Sequence, residues 1–428
     1  MTGVESSKED LATQLDQHSD YFRENVYDIY KQLRTQCPMV HSEKWGGFWA
    51  FLDYQDVYDA EQVAEIFSSG AGKEVPGVEG SLPFIPIDYD PPLVQDYRKI
   101  ALPFFSPGAA KALEPTFRRL ATELIDEFIE SGEADIIGQL TTPLPARWIL
   151  QMLGFDESNW PEWVELIHST VHDLALDPEK SGAAAAQIYA NISTEIQKRR
   201  TERCGDDLLS TVMQAKVNGE GLDDMQVLGY AFLMLLGGMD TTSGLTGNAL
   251  VRLEEQPELR QRLINEPELL PKATEEFLRH DTPTQGLPRI VTKDCEFNGQ
   301  RFAEGDRVLL MFAAANRDPK MFEDPDRIDF DRIGNRHLAF GAGPHRCMGS
   351  NHARMMFQVM MSEILTRMPD YTISGEVERF ADAGSVYAVR RLPIRFTPGP
   401  RVGGDGAPAA AGTAADTTRE VRANVGKA

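Results

Sequence analysis

Apolar residues recur at spacings of three and four over Phe117–Glu130, Ala186–Arg200, Met225–Leu250, Glu258–Ile264 and Leu269–Arg279, and this period predicts helices there. The third of these differs from the rest. Its run AFLMLLGGMDTTSG is apolar all round, so the helix should be buried on most of its faces. Gly237, Gly238 and Asp240 interrupt it too soon for a membrane span. Two neighbouring glycines inside a buried helix cost about 1 kcal/mol each relative to alanine. Either something approaches the backbone closely there or the helix bulges. Two regions read as sheet: Trp45–Leu52 (WGGFWAFL, followed by DYQDV) as a hairpin strand, and Cys295–Leu310 with a turn at Asn298-Gly299. No internal repeat and no linker interrupts the body, so the fold class is mainly α with small β patches.

The ends follow a different pattern. Residues 1–18 read as a flexible polar arm and residues 399–428 as a disordered tail rich in Gly, Ala and Pro, leaving 19–398 as one large helical domain. Of 428 residues, 42% are hydrophobic and 25% charged, which is ordinary for a folded chain. A formal net charge of -23 argues against a nucleic-acid partner and against docking on anionic lipid. The four cysteines (Cys37, Cys204, Cys295, Cys347) form no CxxC pair, which fits a reducing compartment rather than a disulfide framework or a zinc ribbon. The N-terminus has no apolar core for a signal peptide or anchor, so a cytoplasmic location is expected.

The segment HLAFGAGPHRCMGSNHAR, from His337 to Arg354, places Phe340, Gly341, Gly343, Cys347 and Gly349 in a Phe-x-x-Gly-x-x-x-Cys-x-Gly pattern ahead of a helix starting near Ser350. Glycines let a chain close tightly around a sulfur, with backbone N–H groups and the next helix N-terminus favouring a thiolate. An ordinary buried cysteine in a glycine-rich turn is the competing reading. From this chain's composition the five-part spacing would arise by chance in roughly one sequence per thousand.

The loop resembles the haem-binding loop of the cytochrome P450 family. Four further segments fall in that family's order: Asp90-Pro91-Pro92 followed by Arg98, Gly237-Gly238-Met239-Asp240-Thr241, Glu276-Phe277-Leu278-Arg279, and Ala315-Asn316-Arg317-Asp318-Pro319. With Asp324-Pro325-Asp326-Arg327 they spread from about residue 45 to about 397, nearly the whole body. The resemblance implies the cytochrome P450 fold, with haem b held between the oxygen-activating helix and the cysteine loop. It implies Cys347 as the axial iron ligand, a thiolate whose electron push promotes O–O cleavage.

By the same resemblance Asp240 and Thr241 handle protons beside a helical bulge. The bland alternative is a back-bonded threonine and a surface-facing aspartate. Gly237, Gly238, Phe340, Gly341 and Gly349 border the cofactor, and Arg98, Arg289 and His345 match the family's propionate partners. Glu276 and Arg279 share a helix face at a spacing of three, and with Arg327 they form a buried structural network. Three positions depart from the pattern: Val94 and Leu287 near the propionates, and His352 where a leucine is usual. Leu82, Phe84, Leu233, Leu236, Gln285, Ser385 and Val386 would line the substrate pocket, with Gln285 and Ser385 as its polar handles.

The expected activity is insertion of one oxygen atom from O2 into a small hydrophobic substrate of terpenoid type by a monomeric enzyme. The chain has no flavin or nicotinamide motif, and SSGAGKE (Ser68–Glu74) lacks the spacing of a phosphate loop. Electrons would come from a ferredoxin with its reductase, docking near Arg98, Lys99, Arg336, Arg346 and Arg354 on the cysteine side. A peroxide-using enzyme and a non-enzymatic haem-thiolate sensor are the alternatives. The retained acid–alcohol pair argues against the first, and the lack of an attached signalling domain against the second.

Overall fold

The apolar run between Tyr230 and Leu250 leaves no face for water, and the chain answers by wrapping it in other helices. Eight helices position the site in this computed structural model, which describes residues 8–70, 72–77, 83–202 and 205–403. They are α1 (Asp20–Gln36), α2 (Leu93–Phe105), α3 (Pro143–Leu153), α4 (Trp160–His172), α5 (Pro178–Thr201), α6 (Asp224–Glu255), α7 (Leu270–His280) and α8 (Ser350–Arg367). A reciprocal cap opens α6: Gln226 N–H donates to Asp223 Oδ1 at 2.8 Å, and Asp223 N–H donates to Gln226 Oε1 at 3.0 Å. From there α6 runs 32 residues, with α3, α4, α5, α7 and α8 packed against it. None of the helices among the described residues is long and apolar enough to cross a membrane.

The five expected helices are present, most of them longer than their apolar stripes. Beside them lies a sheet of β1 (Met39–Ser42), β2 (Phe48–Phe51), β3 (Phe67–Ser68), β4 (Leu287–Val291) and β5 (Arg307–Leu310), in the order β1-β2-β5-β4-β3. Only β2 and β5 run parallel. The strand expected over Trp45–Leu52 begins at Phe48, because Trp45 takes a left-handed φ of 56° in a short turn. Its hairpin partner precedes it, with Met39 opposite Phe51, while Tyr54–Ala60 is helical. Asn298 and Gly299 do form the second turn, at φ 48° and 83°, joining Cys295–Phe297 to Gln300–Phe302.

Both ends are more tied down than their composition implies. The expected arm over residues 1–18 contains a helix, Lys8–Thr13, and then buries Leu15, Gln17 and His18. His18 is anchored by the Asp382 carboxylate at 2.9 Å. At the other end the Asp126 carboxylate accepts the N–H groups of Val402 and Gly403, so the body extends past 398; residues 404–428 lie outside the described residues.

Candidate functional site

The cysteine loop closes on itself through Cys347 N–H, which donates to Phe340 O at 2.8 Å. Its glycines serve different ends. Gly343 has φ 58°, and a Cβ there would lie 2.4 Å from the backbone oxygen of Glu61. Gly341 is left-handed as well, at φ 64°. Gly349, by contrast, sits at φ -73°, where any residue would fit. What it supplies is an N–H to the Cys347 sulfur. Cys347 is ringed by protein yet keeps exposed surface, so its sulfur borders interior space.

The loop by itself does not produce the expected thiolate. Burial pushes the Cys347 thiol up, and this outweighs the Gly349 N–H and the arginines Arg98, Arg346 and Arg354. Deprotonation there calls for a bound cation, as metal–thiolate binding generally does.

Three cationic or polar groups gather beside the loop. Arg98 donates to Arg346 O at 2.6 Å. His345 has both ring nitrogens buried and without a hydrogen-bond partner. Burial, with Arg289, Arg98 and Lys73, pushes its pKa down to about 4 against an opposing pull from Asp90. Arg289 is not free: it is buried against Glu61 at 2.5 Å, and Glu61 also accepts the Ala342 N–H. The sequence reading missed Glu61. Nothing in its local pattern marks it, because its partners lie more than two hundred positions away. An orphaned imidazole and two arginines grouped around an enclosed thiol fit a planar group that carries carboxylates. Val94, one of the departures, is simply buried in α2.

On α6 the residues Leu233, Leu236, Gly237, Gly238 and Thr241 keep surface while those around them are buried. A Cβ on Gly237 would meet nothing within 4 Å, whereas one on Gly238 would lie 3.0 Å from Ile149 of α3. The helix passes both without a bulge, so close approach rather than distortion accounts for the second glycine. Thr241 Oγ1 does back-bond to Gly237 O, at 3.2 Å. Asp240 is not on the surface. It is 3% exposed and faces His168 and His172 of α4 at 2.9 and 3.5 Å. Burial pushes its carboxyl up, but the two histidines outweigh this and hold it below the usual carboxylate range. These histidines were also missed, although their spacing of four on one helix face was a visible signal.

The structural network needs one correction. Glu276 and Arg279 form a buried bidentate pair, at 2.7 and 2.9 Å. Arg327 joins it only through its carbonyl oxygen; its side chain is exposed. The third side chain is Arg332, whose Nε reaches both Glu276 oxygens at 3.2 Å. Glu276 also accepts from Asp329 N–H and Asn335.

The pocket residues divide likewise. Phe84 stacks on Phe232 at 5.5 Å. Val386 bridges to Thr284, and Ser385 is half-buried. Gln285 is not a handle: it is fully buried, accepts from Tyr30 Oη at 2.8 Å and donates to Thr282 O at 2.7 Å. Leu82 lies outside the described residues. In the basic group Arg354 is paired with Glu275 and Lys99 with Asp96, while Arg336 and Arg346 are exposed. His352 is caged by Phe105, Phe117 and Trp148 with both nitrogens unpartnered, and burial pushes its pKa down to about 4.

Comparison with known proteins bears on this geometry. The family model described as Cytochrome P450 matches residues 149–369. Linalool 8-monooxygenase of Pseudomonas putida is 30% identical, with 84% of this chain and 93% of that protein covered. Steroid C26-monooxygenase of Mycobacterium tuberculosis is 33% identical over 87% of this chain and 94% of its own length. Among solved structures, CYP109E1 from Bacillus megaterium in complex with testosterone superposes with a TM-score of 0.82 at 30% identity, over 88% of this chain and 99% of that one.

Proposed function

This chain belongs to the cytochrome P450 family, whose members are haem-thiolate monooxygenases, and from that premise we propose that it hydroxylates a small terpenoid-like substrate. The observation that carries the reading is Cys347, a thiol enclosed by protein yet open on one side, with the Gly349 N–H aimed at its sulfur. Haem b, when bound, supplies a redox iron whose thiolate ligand promotes O–O cleavage. Cys347 would be that ligand, with Phe340, Gly341 and Gly349 shaping the loop around it. Arg98 and His345 would donate to the propionates, and Arg289 would reach them while still paired with Glu61. Gly237 would let a flat ring lie close to α6, while Gly238 makes room for Ile149.

Asp240 and Thr241 would pass protons into the site, and the apolar surface of Phe84, Leu233, Leu236 and Val386 would hold a compact hydrocarbon and exclude water. The relative named for linalool supports a terpenoid, although the relative named for a steroid and the testosterone complex set an upper size worth testing. A ferredoxin is the electron donor that fits the exposed Arg336 and Arg346, and we place the enzyme in the cytoplasm as a monomer. The absorption spectrum of the reduced, carbon-monoxide-bound protein tests the core of this reading. A strongly red-shifted Soret band, lost in Cys347→Ala and Cys347→His, is expected; an unshifted band from folded wild-type protein would overturn it. Linalool-type alcohols and a steroid, compared by binding spectra and ferredoxin-supported turnover, then decide the substrate class.

A further inference from the structure

Asp240 is the buried carboxylate whose surroundings the family pattern does not explain. Two histidines one turn apart on α4 face it from one side, His168 Nε2 at 2.9 Å from Oδ1 and His172 Nε2 at 3.5 Å from Oδ2. Neither contact is an aligned hydrogen bond, and both carboxylate oxygens are buried, so the carboxylate is held by charge. The two rings differ. His172 is fixed: it stacks on Phe380 at 3.7 Å, and its Nδ1 lies 3.0 Å from the carbonyl oxygen of Asp382. A carbonyl only accepts, so Nδ1 carries hydrogen and the ring orientation is set. His168 meets only the edge of Phe380, at 4.8 Å, and its side chain keeps 26% exposure. Water can reach it.

The other charged groups nearby are engaged elsewhere. Asp173, at the end of α4, is taken up by Lys180 of α5 at 2.7 Å. The Asp382 carboxylate, behind His172, is held by His18. Arg379 bonds Asn248 of α6 at 2.8 Å. Among the described residues only the two histidines are positioned to set the charge state of Asp240, and a carboxylate that they keep ionised is a poor store of protons.

We propose that His168 is the group from which Asp240 receives each proton it passes toward Thr241, and that His172 is a positioning residue whose fixed ring holds the carboxylate in place. This rests on the monooxygenase reading above. In the forward step the His168 Nε2–H bond breaks and an Asp240 Oδ1–H bond forms, leaving a neutral imidazole and a neutral carboxylic acid. The acid releases that proton through water toward the Thr241 side, and the imidazole regains one from solvent. No electron moves in either step. Imidazole suits the task because its ordinary pKa lies near neutrality, so it can both hold and release a proton there.

The test uses the haem-loaded, full-length protein and two readouts. In the reduced, carbon-monoxide-bound state, which does not turn over, the imidazole resonances of His168 are titrated by NMR. Asp240→Asn should lower the His168 midpoint, and an unmoved midpoint would overturn the coupling. In turnover, His168→Gln should keep the red-shifted Soret band and the substrate KM while lowering kcat by about ten- to a hundredfold. Its solvent deuterium isotope effect should rise, and the pH limb that follows the His168 titration in the wild-type protein should vanish. His168→Lys should restore folding and the placement of Asp240 but move that limb to higher pH, which a merely structural role would not do. A His168→Gln enzyme with the wild-type pH profile and isotope effect would sink the proposal. Loss of the Soret shift in wild type would instead sink the reading beneath it, since the NMR titration of the pair does not depend on that shift.

Discussion

The cysteine loop and the Gly237–Thr241 stretch of α6 are built in opposite ways. In the loop nearly everything that shapes the sulfur lies within ten positions of it: the bond from Cys347 to Phe340, the left-handed Gly341 and Gly343, the Gly349 N–H. On α6 the local chain supplies only a regular helix, and the environment of Asp240 arrives from α4, from the turn at Phe380 and from Asp382 behind it. A site made by backbone geometry tolerates drift in its distant neighbours. One made by imported side chains can be retuned by a single distant substitution, and there pH behaviour and substrate access can diverge between relatives that share the same loop.

The contrast breaks if the loop also depends on remote side chains, and the Glu276 network is where that would show. Glu276 holds Asp329, Arg332 and Asn335, the segment that leads into the loop. Glu276→Ala would leave Arg279 buried with only carbonyl acceptors, at a cost of about 3–5 kcal/mol. Arg332→Ala should cost about 1–3 kcal/mol. Arg327→Ala should stay within about 0.5 kcal/mol, because its side chain faces solvent. Denaturant unfolding of the haem-free proteins ranks the three, and equal costs for Arg327 and Arg332 would refute the assignment.

The same division explains what could be read in advance. Helices with a clear apolar period, the Asn298-Gly299 turn and the loop motif are local signals, and all three were legible. Arg332 in place of Arg327 and Glu61 under Arg289 depend on contacts across the fold, which spacing along the chain does not encode; the spacing of His168 and His172 was visible, but not that they face Asp240. Gln285 failed for a related reason: its alignment position suggested a pocket, but Tyr30 and Thr282 turn its amide inward. The polar composition of residues 8–18 likewise concealed Leu15 and His18, each buried singly against distant partners.

His352 sharpens the comparison from the far side of the loop, where a distant cage does set a titration. Its pKa, pushed down to about 4 from an ordinary 6.5 by burial, means that the unfolded chain takes up a proton first as the pH falls. Stability is therefore fully present above pH 6.5 and is lost progressively toward pH 4, by something of the order of 3 kcal/mol. His352→Leu should flatten that acid limb and leave the neutral-pH fold intact. Denaturation midpoints measured from pH 7 to pH 4 check it, and parallel losses in the two proteins would mean that His352 is not the group responsible.

The smallest expected effects are the most discriminating, because Gly237 and Gly238 are neighbours in one helix. Gly238→Ala presses a methyl group against Ile149, where a Cβ would lie 3.0 Å from Cγ1, and should destabilise by about 1–3 kcal/mol. Gly237→Ala meets nothing within 4 Å, and helix propensity alone should stabilise the haem-free protein by about 1 kcal/mol. That gain ought to reverse once haem is bound, since the added methyl would then project into the space the ring occupies. Opposite signs in the haem-free proteins, with weakened haem retention for Gly237→Ala, would separate the glycine that packs from the glycine that faces the site. If both substitutions destabilised the haem-free protein equally, Gly237 would be a packing residue and the open face of α6 would have to be placed elsewhere along the helix.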